Sequence, residues 1–154
     1  MGSIAIPSKA FPAGIHVPSL TWFLDDAPQS IDWEVQKKHI RFLISSGLHS
    51  IVLAGTNGEA VALTAEEKSQ LVQVTREIAI EEGRPDLTIV LGCGGQSTQQ
   101  VIAETKLAKA AGADFALTLT PSYFHFAMNE DAIIAFWQEV SGTDCMLFNC
   151  SNEY

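Results

Sequence analysis

The sequence predicts an α/β chain in which five parallel strands alternate with four helices. Three observations carry this. Short, near-continuous apolar runs recur at regular intervals, the pattern of strands buried on both faces. Between them lie stretches whose apolar residues return every three to four positions, most opened by a capping signal. Each apolar run then ends in glycine or small polar residues on its C-terminal side.

The elements follow in order. GIHVPSLTWF (14–23) reads as the first strand. Asp32 to Ser46 reads as a helix with Val35, Ile40, Leu43 and Ile44 on its apolar side, stopped by Gly47. SIVLA (50–54) is a buried strand. Thr64 and Glu67 form a Thr-x-x-Glu capping box that opens a helix to about Glu82, ended by Gly83 and Pro85. LTIVLG (87–92) is the third strand. Ser97 and Gln100 offer a second capping box, and that helix runs to Ala111 before Gly112. DFALTLT (114–120) is the fourth strand. Asn129 caps a helix with Glu130 and Asp131 in its first turn and a stripe of Ile133, Phe136, Trp137 and Val140. DCMLFN (144–149) is the fifth strand.

Two architectures fit such a series: an open doubly wound sheet, or part of a closed (β/α)8 barrel. In both, ligands meet the C-terminal ends of the strands. Those ends hold Thr21, then Gly55-Thr56-Asn57-Gly58-Glu59, Gly92-Cys93-Gly94-Gly95, Thr120-Pro121-Ser122-Tyr123 and Phe148-Asn149. Any one of these is an ordinary turn. Five on one rim point to a site.

Composition narrows the ligand. A net charge of −9 with nine Lys and Arg argues against nucleic acid and against an anionic membrane surface. No run is long enough to span a bilayer. The N-terminus lacks a signal or transit pattern, and Ile6 stands where myristoylation wants Ser or Thr. Cys93, Cys145 and Cys150 show no ligand spacing and suit reduced thiols. The expected compartment is the cytoplasm, with mitochondria the alternative. GCGGQS lacks the third glycine of a dinucleotide loop, and AGTNGEA lacks the Gly-Lys-Ser/Thr of a phosphate loop. His16, His39, His49 and His125 have no paired ligand spacing, so no metal is expected. No cofactor is implied.

The motifs GTNGEAVALTAEEK, GCGGQSTQQVIAETKLAKAAGAD and LTPSYF, in this order and spacing, resemble the dihydrodipicolinate synthase / N-acetylneuraminate lyase family. The resemblance runs from Gly14 to about Asn149. Asn57 and QSTQ (96–99) look most like the 4-hydroxy-2-oxoglutarate aldolase branch, with fungal deoxy-sugar-acid aldolases close to it. The resemblance implies a (β/α)8 TIM barrel, of which about the first five strands and four helices are here. It implies a class I, Schiff-base lyase that cleaves a 4-hydroxy-2-oxo acid or deoxy-sugar acid to pyruvate and an aldehyde, or a dihydrodipicolinate synthase-like condensation. Its partners would be a small 2-oxo acid and, at full length, copies of itself as a homo-oligomer.

Carried over by residue, Thr56 and Asn57 would hold the carboxylate of a pyruvate-like ligand. Gly55 and Gly58 would let the backbone turn and approach it. Turn N–H groups can bind a small anion without a cationic clamp. The plainer alternative for Thr56 and Asn57 is an Asx/ST-type turn. Glu59 is expected to bond the turn amides. Tyr123 matches a tyrosine of the family's proton relay, with Thr56 linking it to a second tyrosine; its plainer alternative is a packed rim aromatic beside Phe124 and Phe126.

Two departures weigh against activity in these residues alone. Phe148-Asn149 stands where the second relay tyrosine belongs. The Schiff-base chemistry needs a lysine at the rim. Lys9 lies in the N-terminal tail, and Lys37, Lys38, Lys68, Lys106 and Lys109 lie on expected helices facing solvent or neighbouring helices. The family's lysine lies on a sixth strand. A full barrel needs about 250 residues. The expectation is therefore a truncated product: a tail at 1–13, barrel residues 14–149 and an unrelated tail at 150–154. Its alternative function is a non-catalytic fragment that binds 2-oxo acids or associates with full-length homologues.

Overall fold

The computed structural model describes residues 10–143 and 146–149, the last four by their backbone. The expectations for Lys9, Ile6, Cys145, Cys150 and the 150–154 tail lie outside the described residues.

The strands are β1 His16–Pro18, β2 Ser50–Leu53, β3 Thr88–Gly92, β4 Phe115–Thr118 and β5 Met146–Asn149. The helices are α1 Trp33–Ser45, α2 Ala65–Glu81, α3 Thr98–Ala111 and α4 Glu130–Ser141. The sheet order is β1-β2-β3-β4-β5, every pair parallel. A doubly wound sheet reverses direction at a switch point. This order never does, so it is an arc of a (β/α)8 barrel.

Each element starts where its chemistry dictates. Asp32, at the N-cap of α1, accepts from the Val35 amide at 3.0 Å. The Thr64–Glu67 capping box is reciprocal, with bonds of 2.9 and 3.2 Å. Asn129 caps α4 by accepting from Ala132. At α3 only half of the expected box forms. Ser97 accepts from the Gln100 amide, but the Gln100 carboxamide turns to the amide of Gln96 at 3.1 Å.

The first strand is shorter than the apolar run 14–23 suggests. After Pro18 the chain leaves the sheet, and Phe23 and Ile31 form an isolated antiparallel bridge. Hydrogen bonds from Leu24 to Ser30 and from Asp32 to Trp22 close this excursion. The apolar residues of 20–23 therefore serve a folded loop rather than the sheet.

The two faces of the sheet differ. Ile51, Leu53, Ile89, Leu91 and Ala116 pack against Ile40, Leu43, Ile44, Leu71, Val72 and Ile78 of the helices in one core. The register places Pro18, Val52, Val90 and Phe115 in one row on the opposite, concave face. Val90 and Phe115 are buried there, while Pro18 is exposed and Val52 half-buried. Phe11 covers the N-terminal end of this face, its ring 4.9 Å from that of Phe115 and 4.6 Å from that of His16.

A polar hub ties the same end of the outer layer. Arg76 of α2 donates to the carbonyls of Pro85 and Leu87 and to Asp114 at 2.7 Å, and Asp114 also accepts from the Ile89 amide. The chain just before β3 and β4 is thus pinned to one helix, at the end away from the rim where the unusual residues gather.

Candidate active site

The turn after β2 is built by two non-glycine residues in the left-handed region. Ala54 has φ 49° and Glu59 has φ 53°. Such conformations are uncommon and concentrate at functional positions. Between them Thr56–Gly58 forms a single 3₁₀ turn closed by bonds from Gly58 to Gly55 and from Glu59 to Thr56.

The structure redistributes the roles expected for the glycines. Gly55 has φ −81°, which any residue adopts. Gly58 is the demanding position: an added Cβ would lie 2.9 Å from the Ser19 carbonyl oxygen. A tighter approach lies beneath the turn, where a Cβ on Gly92 would sit 1.8 Å from the Ala54 carbonyl oxygen. The left-handed Ala54 directs that carbonyl at β3, and only glycine leaves room for it. Glu59 contributes its main chain. Its carboxylate makes no hydrogen bond among the described residues, against the expectation that it bonds the turn amides.

Thr56 and Asn57 are exposed, whereas Gly58 is buried. The amides of Gly58, Glu59 and Ala60 are consumed inside the turn by bonds to Gly55 and Thr56. Among the described residues, no acceptor meets the amides of Thr56 and Asn57. The turn thus offers two backbone donors and two short polar side chains at the strand ends. Behind it, the Thr21 hydroxyl donates to the Gly58 carbonyl at 2.8 Å in a buried bond.

Tyr123 stands at the same rim, after β4, and is 73% exposed. Its ring meets Phe124 edge-on at 4.9 Å, and Phe124 meets Phe126 at 5.9 Å. The phenol makes no hydrogen bond among the described residues, so the expected Thr56–Tyr123 link is not a direct contact here. The Tyr123 backbone is held by Gln96, whose Oε1 accepts from the amides of Ser122 at 3.1 Å and Tyr123 at 2.9 Å. Phe148 is opposite Leu117 in the β4–β5 register, one position before the Thr118–Asn149 pair.

The described lysines are elsewhere. Lys37 and Lys38 lie exposed on α1, and Lys106 and Lys109 exposed on α3. Lys68 is buried but spent on Glu104, at 3.0 Å, between α2 and α3. All are on the helical layer outside the sheet. Among the described residues, no group of three or more His, Cys, Asp or Glu could hold a metal ion, and no helix is long and apolar enough to cross a membrane.

Sequence reasoning missed Gln96 and Gln36 as architects of this rim. Gln36 left a signal: it lies four residues before Ile40 on the apolar stripe of α1, where a polar residue is out of place. Gln96 left none beyond its glycine-rich setting.

Residues 12–152 match the model of the dihydrodipicolinate synthetase family. The chain belongs to this family. Curated members similar to it include the Hypocrea jecorina "L-threo-3-deoxy-hexylosonate aldolase", 36% identical over 132 residues that cover 86% of this chain and 42% of that protein. The Emericella nidulans protein named "Probable 4-hydroxy-2-oxoglutarate aldolase, mitochondrial" is 33% identical over 128 residues, covering 83% of this chain and 41% of that one. Among solved structures, the dihydrodipicolinate synthase of Acinetobacter baumannii, complexed with pyruvate, superimposes with a TM-score of 0.78 at 31% identity. That match covers 88% of this chain and 44% of the synthase. The chain thus spans about two fifths of the length of the family members it matches.

Proposed function

We propose that these residues form the 2-oxo-acid-binding portion of a class I lyase of the family. The reaction is cleavage of a 4-hydroxy-2-oxo acid or deoxy-sugar acid to pyruvate and an aldehyde, or the related dihydrodipicolinate synthase-like condensation. Thr56 and Asn57 hold the substrate carboxylate through backbone N–H and side-chain donors, on the turn that Gly55 and Gly58 bracket. Tyr123 and Thr56 carry protons to and from the carbonyl as the Schiff base forms. The observation that supports this best is the exposed turn at the strand ends, whose Thr56 and Asn57 amides have no acceptor within the described residues. Charge-assisted bonds of this kind are short and strong, and suit a carboxylate.

The amine that attacks the keto carbon is not among the lysines described. Each lies on the helical layer, and an aldolase lysine must stand within reach of a carbonyl whose carboxylate is held at the rim. These residues therefore bind substrate without cleaving it. In the full-length enzyme, a homo-oligomer, the nucleophile comes from beyond them. Residues 14–149 are the barrel portion, and the compartment is the cytoplasm or, as one relative's name suggests for that relative, the mitochondrion.

Trapping with pyruvate and sodium borohydride tests this. Mass spectrometry of the 154-residue chain should show no reduced three-carbon adduct, while a full-length homologue is labelled on one lysine. A stoichiometric adduct on one lysine of this chain would overturn the assignment of its lysines.

A second reading is favoured by the concave face. Pro18 and Val52 leave apolar surface uncovered, and β1 and β5 have no strand on their outer sides among the described residues. On this reading the chain is a non-catalytic partner that docks on full-length family members.

A further inference from the structure

Gln36 is polar and fully buried, in the middle of the apolar stripe of α1. Its Oε1 accepts from the Trp22 amide at 3.0 Å, and its Nε2 donates to the Leu20 carbonyl at 3.2 Å. The two bonds clamp the main chain on either side of Thr21. This stretch belongs to no strand or helix, and the clamp adds side-chain bonds on either side of Thr21 to the main-chain bonds from Ser19 to Val52 and from Asp32 to Trp22. Thr21, so held, donates to the Gly58 carbonyl in a buried 2.8 Å bond. Gly58 in turn closes the Thr56–Gly58 turn, and its Cα is pressed against the Ser19 carbonyl so closely that a Cβ would not fit.

The back of the turn is therefore seated on residues 19–21, and its front presents Thr56 and Asn57. A leucine at position 36 would fill much of the same space without burying an amide, so packing alone does not explain a glutamine. A buried amide with satisfied bonds selects one backbone geometry over its neighbours. Ligand-binding donors depend on such support, because small displacements degrade their bonds.

We propose that Gln36 is a positioning residue for 2-oxo-acid binding, acting through Thr21 to set the orientation of the Thr56–Gly58 turn. This rests on the reading of that turn as the carboxylate site.

The test is pyruvate binding to the 154-residue chain, followed by ligand-detected NMR, with a thermal melt of every variant. Gln36→Leu removes both clamp bonds at similar volume, and Thr21→Val removes the hydroxyl at similar shape. Each should weaken pyruvate binding about tenfold, the scale of one degraded bond to a charged group, measured well below its melting temperature. The double variant should be little worse than either, because the two side chains act in series. Gln36→Glu gives a readout that a packing role does not. Protonated, its carboxyl supplies one donor and one acceptor; ionised, it only accepts. Burial raises its titration. His39, three residues further along α1 and packed on Trp22, titrates in both proteins, so binding is read as the ratio of Gln36→Glu to the unaltered chain at each pH: that ratio should be near one at acidic pH and fall as pH rises through the titration of the introduced carboxyl. If Gln36→Leu does not fold, Thr21→Val and Gln36→Glu decide. Unweakened binding in Thr21→Val, or a flat ratio for Gln36→Glu, overturns the proposal and leaves the carboxylate reading standing. No pyruvate binding by the unaltered chain overturns that reading, and this proposal with it.

Discussion

At the scale of single residues, the rim is held by groups that leave no slack. Gly92 lies where the Ala54 carbonyl comes down on β3, and a Cβ there would be 1.8 Å from that oxygen. Gly92→Ala must push β2 and β3 apart or unwind the left-handed Ala54. Overpacking of this kind costs about 3 kcal/mol or more, read as a lowered denaturant midpoint. Thr56 sits on the other side of the same turn, exposed, with no core contact to lose. Thr56→Val should leave the melt unchanged but weaken pyruvate binding and, in a full-length enzyme, catalysis, by about 1.5–3 kcal/mol for a lost bond to a charged group. Unchanged kinetics would make Thr56 a turn residue only. His39 adds a pH effect. Burial of its ring, which packs edge-on to Trp22 at 6.0 Å, lowers its pKa in the fold. The unfolded chain then binds the proton more readily, so the fold is full strength above about pH 6.5 and loses stability as pH falls below that value. His39→Leu should flatten the dependence of melting temperature on pH between about 7.5 and 5.5 relative to the unaltered chain.

At the scale of elements, the helices are placed by caps at one end and by the Arg76–Asp114 hub at the other. Asp114 joins Arg76 of α2 to the Ile89 amide of β3, immediately before β4 begins. Its side chain is 17% exposed, so screening by water is partial. Asp114→Ala removes two bonds to a charged group and leaves Arg76 with carbonyl partners but without its counter-charge. It should cost about 2–3 kcal/mol in denaturant unfolding. The hub lies at the N-terminal ends of the strands, away from the turn. Pyruvate affinity of the folded fraction should therefore not change, and a parallel loss of affinity would show that the two ends of the sheet are coupled.

At the scale of the whole chain, an arc of consecutive strands has a problem that a closed barrel solves. Among the described residues, its concave face carries Pro18, Val52 and Leu117 incompletely covered, and β1 and β5 have no strand on their outer sides, which leaves backbone groups to pair. The 154-residue chain on its own should melt with low cooperativity and associate as concentration rises. Sedimentation velocity across a hundredfold concentration range would read this, and a monodisperse monomer with a sharp, high-temperature melt would contradict it.

The alternation of apolar runs with capped amphipathic stretches was enough to place five strands and four helices, because burial on both faces and helix capping are local chemistry that sequence spells out. The Thr64–Glu67 box and the Asn129 cap formed as their spacing implied. The motif order carried the family, and with it the barrel. What the local pattern did not decide was which partners the residues meet in the packed chain. Whether the sheet reverses is a matter of strand neighbours, which the apolar pattern left open; the motif order implied the consecutive arrangement, and the pairing shows it. The run 14–23 looks like one strand because apolar composition alone does not say where a chain leaves the sheet; here it leaves after Pro18, and Leu20 and Trp22 stay partly exposed in the loop. Gln100 satisfies a box on paper, yet the Gln96 amide captures its carboxamide. The turn shows the division most plainly. Its glycines announced a tight backbone, but which glycine is indispensable depends on what lies across from it: Ser19 behind Gly58, Ala54 over Gly92, and almost nothing near Gly55. Sequence determines which residues tolerate a close approach; only the packed chain decides where one occurs.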